Sequence, residues 1–161
     1  MLVVLPRTYS HFKWIGLLLV VAVVAGLAWS LFGLQVSEPG GPITASEAQA
    51  IVGITLPPEA KNIRAASYSQ WIEYGQYLRF EAPVPVCLRC ASRIVPGATT
   101  QPVDSFDLAR ASRSVRADAF KDLSWFDLAK AKNVITAGGG PSQAQIWVDR
   151  RRGVFYYRKT D

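Results

Sequence analysis

Polar and apolar residues alternate in three distinct manners along this chain. From Trp14 to Leu34 there is no charge at all, an apolar run of 21 residues. As a helix it would extend ~31 Å, the thickness of a bilayer core. The pattern predicts a transmembrane signal anchor over 14–34 behind a leader of residues 1–13, with Trp14 and Trp29 near its ends. Cleavage after Gly26 and Ala28 is the alternative, but the apolar run continues through Leu31, Phe32 and Leu34, which favours retention. Arg7 and Lys13 precede the run, and the first positive residue after it is Lys61. That asymmetry predicts a single-pass membrane protein with a cytoplasmic N-terminus and a periplasmic or extracellular C-terminal domain. Ala22, Gly26 and Ser30 fall on one helical face, a spacing that lets two such helices pack as a homodimer.

Residues 35–43 form a different pattern, a Pro- and Gly-rich linker, and 44–161 then carries the periodicities of a folded α+β domain. Thr44 and Glu47 frame a capping box, and Gly53 closes that short helix. Asn62–Ser69 and Gln76–Ala82 read as two strands. In the second, Leu78, Phe80 and Ala82 alternate with Tyr77, Arg79 and Glu81, which predicts one packed face and one wet face. A helix near 86–95 places Cys87, Cys90, Ala91 and Ile94 on one side, and further helices are expected over 105–115, capped by Asp104, and over 122–132. The last element is a hairpin, Ala144–Asp149 and Val154–Lys159, turning through Arg150–Gly153. Together these predict an N-terminal transmembrane helix and a mainly antiparallel sheet of about four strands packed by helices.

Composition narrows the chemistry. Half the residues are hydrophobic and 19% are charged, too apolar for a disordered chain. The net charge of +6 is spread out, so nucleic acid is not an expected partner. The single histidine, His11, lies in the leader, which leaves the domain without a histidine for a catalytic triad or a metal site. No catalytic residue, metal or cofactor is expected. The aspartates at 104, 107, 118, 122 and 127 read as helix caps and first-turn charges.

Three groups remain as candidates. Cys87-Leu-Arg-Cys90 has the spacing of a redox pair near a helix start, yet no βαβ context surrounds it, and packed thiols or a local disulfide are the stronger reading. Tyr68, Trp71, Tyr74 and Tyr77 gather around the first reversal, as a binding surface or as the cover of a small core. Arg150, Arg151 and Arg152 at the hairpin tip, with Arg158 and Lys159 nearby, suit an anionic group or an ordinary solvated turn. Gly138-Gly-Gly-Pro141 lacks the Lys-Ser/Thr of a phosphate loop.

The segments Leu56-Pro-Pro, Arg79-Phe-Glu-Ala-Pro and Ile146-Trp-Val-Asp, with the final Val154-Phe-Tyr-Tyr, are similar to small uncharacterised bacterial domains tethered by a signal anchor or lipid, over residues 45–161. The resemblance implies membrane tethering and carries no activity or site residue. The expected function is a membrane-anchored, non-enzymatic domain that binds a protein partner or supports an envelope complex. The alternatives are a tethered thiol–disulfide protein using Cys87 and Cys90, and a binder of envelope polysaccharide or anionic groups.

Overall fold

A computed structural model describes residues 9–70, 73–97, 99–117, 123–138 and 144–160; the side chains of 9–13, 30–32 and 116–117 fall outside that description. The chain divides into two units, residues 1–34 and 35–161. The first holds helix α1, Tyr9–Phe32, whose described side chains from Trp14 to Trp29 are almost all exposed.

Among the described residues no helix is long and apolar enough to cross a membrane. The expected anchor over 14–34 is therefore corrected. Its last two residues leave the helix, because Gly33 ends it and the chain is extended from Gln35 onward. The single-pass, cytoplasmic-N-terminus topology and the periplasmic or extracellular location rested on that span and are not supported without it.

Among the described residues the second unit is built on seven antiparallel strands, not four. They are β1 (Gln35–Ser37), β2 (Lys61–Gln70), β3 (Glu73–Glu81), β4 (Gln101–Pro102), β5 (Val134–Gly138), β6 (Gln145–Asp149) and β7 (Val154–Thr160). Their order is β1-β2-β3-β7-β6-β5-β4. The three additional strands are β1, β4 and β5, each too short to display an alternation of its own. β1 lies in the stretch whose composition suggested a linker: Val36 pairs with Tyr68, Ile43 bridges Ile63, and Trp125 Nε1 donates to Glu38 at 3.0 Å.

Helices α2 (Ala45–Val52), α3 (Val84–Ile94) and α4 (Ser105–Ala117) cover this sheet. α2 carries the expected capping box, with the Thr44 N–H donating to Glu47 at 2.7 Å and Gly53 left-handed at φ 69°. The helix expected over 122–132 is reduced to a single 3₁₀ turn, Leu128–Lys130, capped by Asp127; residues 118–122 lie outside the described residues.

Both faces of the sheet are packed. On one, Leu78, Phe80, Ile146, Val148, Phe155 and Tyr157 meet Ala48 and Val52 of α2 and Cys87, Cys90 and Ala91 of α3. On the other, Tyr77, Trp147 and Tyr156 meet Leu108 and Val115 of α4 together with Phe126 and Leu128. The expected wet face of β3 is wet only at one end. Tyr77 is fully buried, while Arg79 and Glu81 pair with each other at 2.6 Å. A tyrosine reads as surface in a polar alternation, but its ring area drives it into a core once a second layer covers it.

Candidate functional site

A cleft of the second unit opens on the α4 face. α4 buries Leu108, Ser112 and Val115 along one side, at helical spacing. Its adjoining flank presents Asp107, Arg110 and Ser114 to the cleft. The floor is two rows across the sheet. Gly138, Gln145 and Arg158 pair in sequence on β5, β6 and β7, and Thr136 pairs with Trp147 beside them. Thr99 and the β4 residues complete a cavity of about 540 Å³, a size usual for small-ligand sites.

Arg158 ties floor to wall, its Nη1 donating to Ser114 Oγ at 3.0 Å. The Thr136 hydroxyl donates to the Ile146 carbonyl at 2.9 Å, so toward the cleft it can only accept. Trp147 is 5% exposed and packs edge-on against Phe126, making it floor and not a stacking platform. Two guanidinium groups against the single carboxylate of Asp107 leave the described lining with a net positive charge. Ser114 is partnered by an arginine and not by a base, so the described lining offers no activated nucleophile.

The candidates read from sequence lie elsewhere. Cys87 and Cys90 are both reduced and buried on the sheet-facing side of α3. Burial first, and the neighbouring Cys90 second, push the Cys87 thiol up to about 11; burial raises Cys90 as well. The Cys87 Sγ donates to the Ala82 carbonyl at 3.5 Å. A thiol so placed is protonated at neutral pH, opposite to what an attacking thiolate requires.

Tyr68 and Tyr77 stack at 6.5 Å inside the second core, and Tyr77 meets Phe126 edge-on at 5.6 Å. Tyr68 lies directly over Gly75, where any Cβ would collide with its ring. Tyr74 is half-buried on the opposite face with the Lys159 ammonium 5.4 Å from its ring, and Trp71 lies outside the described residues. Two of the four aromatics, Tyr68 and Tyr77, thus belong to the core.

The three arginines of the turn separate into two roles. Arg150 and Arg151 are exposed, while Arg152 Nε donates to Asp149 at 2.8 Å. Asp149 is fully buried and also accepts the backbone N–H groups of Lys132, Arg151 and Arg152 at 3.1, 2.9 and 3.0 Å. Burial alone would raise this carboxyl, but the Arg152 guanidinium and the N–H donors outweigh it and hold the carboxyl below its ordinary range. Gly153 closes the turn at φ 65°, where a Cβ would strike the Ala82 carbonyl. In the first unit, Ala22 and Gly26 are not buried, and the side chain of Ser30 is outside the description.

Of the cleft residues, sequence reasoning had noted Arg158 only as a neighbour of the arginine tip. The structure sets it at the far end of β7 from that turn. Arg110, Ser114, Thr136 and Gln145 were missed, and the polar flank of α4 at 107, 110 and 114 was the one available signal. No protein-family model matches the chain, and comparison with curated proteins and solved structures found no match.

Proposed function

We propose that the second unit is a non-enzymatic binding domain that takes an anionic partner in the cleft between α4 and the sheet. The observation that supports it is the pair of arginines brought from two layers, Arg110 on α4 and Arg158 on β7, to one cavity. Guanidinium groups in a partly enclosed site form stronger hydrogen bonds to oxyanions than neutral donors do. The exposed turn residues Arg150 and Arg151 lie outside this lining, so the binding surface is the cleft and not the hairpin tip.

The test is affinity capture with the full chain in mild detergent, wild type beside Arg110→Glu. Arg110 is exposed, so the substitution reverses charge without disturbing the core. An acidic component retained by wild type and lost from the variant is the expected result. Identical retention by both proteins, with the variant folded, refutes the reading.

A further inference from the structure

The sheet face that carries the first core changes character along its length. On β2 it runs Ile63, Ala65 and then Ser67, Ser69; on β3 it runs Phe80, Leu78 and then Gln76, Tyr74. The apolar positions belong to the core that α2 covers, and Ile51 of that helix borders the polar ones. Strand register sets the polar residues in two rows. Ser37, Ser67 and Gln76 pair in sequence on β1, β2 and β3, and Gln35, Ser69 and Tyr74 pair beside them. Short serines on the middle strand, with longer side chains on either side, leave a shallow cavity of about 460 Å³ instead of a filled surface. That volume is usual for small-ligand sites.

Ser67 and Gln76 are half-buried, yet neither side chain hydrogen-bonds another described residue, and the same holds for Gln35, Ser37 and Ser69. Hydroxyls and amides both donate and accept, which is what a hydroxyl of a ligand needs. Lys159 continues the first row on β7 with its ammonium 5.4 Å from the Tyr74 ring, a contact that holds the ring at the cavity wall. An aromatic face there suits the C–H face of a saturated ring, while an apolar ligand would strand five polar side chains. We infer that this cavity, on the sheet face opposite the arginine cleft, binds a neutral pyranose sugar. Tyr74 meets the ring, and the serine and glutamine rows meet its hydroxyls. The site shares no lining residue with the cleft, so neither reading depends on the other.

The experiment follows the side-chain amide signals of Gln35 and Gln76 by NMR, on the full chain in a mild detergent without a sugar headgroup. The probes are methyl β-glucoside, methyl β-galactoside, methyl α-mannoside and the open-chain polyol sorbitol, added in turn. At least one pyranoside is expected to shift both amide signals saturably and more tightly than sorbitol. Ser69→Leu, at an exposed position, should fill the cavity and weaken that pyranoside at least about tenfold without changing the melting temperature. Tyr74→Ala should weaken it as well. Sorbitol binding as tightly as the best pyranoside overturns the inference, because the ring would then play no part. Binding that survives Ser69→Leu undiminished places the sugar elsewhere and overturns it too. So does a titration in which no pyranoside moves either amide.

Discussion

Replacing Asp149 by alanine removes a buried acceptor on which the C-terminal turn and the loop before β5 converge. The carboxylate is fully buried and receives donors from Lys132, Arg151 and twice from Arg152. Without it, the Lys132 N–H loses its partner in a part-buried setting, and the turn N–H groups lose the side chain that orders them. An orphaned buried donor costs ~1–3 kcal/mol and a broken buried ion pair ~3–5 kcal/mol. Because the Arg152 side chain is 43% exposed, it can turn to water, which brings the sum to about 3–4 kcal/mol. Asp149→Asn keeps one acceptor but turns an NH₂ toward a donor and should cost about 2 kcal/mol. Arg152→Ala leaves the carboxylate three backbone donors and should cost about 1 kcal/mol or less. Urea unfolding of the three variants measures this order directly, with a melting temperature drop of roughly 3–5 °C per kcal/mol. The pH dependence has a fixed sign. A carboxyl held below its unfolded value stabilises the fold fully above that value, about 3.9, and the contribution is lost as pH falls through the folded pKa. Asp149→Asn should therefore flatten the acid limb of stability below pH ~4. An Asp149→Ala protein within about 1 kcal/mol of wild type, or an Arg152→Ala variant less stable than it, would refute this role for Asp149.

Further outcomes follow from the same packing. Trp147, buried opposite Tyr156 and against Phe126, should cost ~3–5 kcal/mol when replaced by alanine. Changing exposed Arg150 and Arg151 to serine should move the melting temperature little, and calorimetry separates the two cases. Cys87, raised to about 11, should react with a maleimide at pH 7.5 only slowly in the folded protein and readily in denaturant. Its raised pKa also stabilises the fold below the unfolded thiol value of about 8.5 and loses that contribution as pH climbs toward 11. Fast native labelling at Cys87 would return the redox pair to consideration.

Local chemistry was legible in the chain before any fold was known. The Thr44–Glu47 box, the left-handed Gly53, the Asp104 cap and the hairpin at Arg150–Gly153 are set by residues within four positions of one another. Asp149 carried a signal too, since aspartate at the first position of a turn orders the backbone that follows. Alternation likewise marked β3. What the chain could not show was which distant segments meet. Strands of two, three and five residues carry too few positions to reveal a period, so the sheet of seven read as one of four. β7 comes last in sequence yet lies in the middle of the sheet, between β3 and β6. That placement packs Tyr77, Trp147 and Tyr156 under α4 and turns apparent surface aromatics into core. It also carries Arg158 away from the arginine turn and beneath Ser114 and Arg110. The cleft exists because four strands and a helix, spread over residues 99–158, gain more by burying their apolar flanks together than by remaining in water. Its polar residues go where that burial takes them.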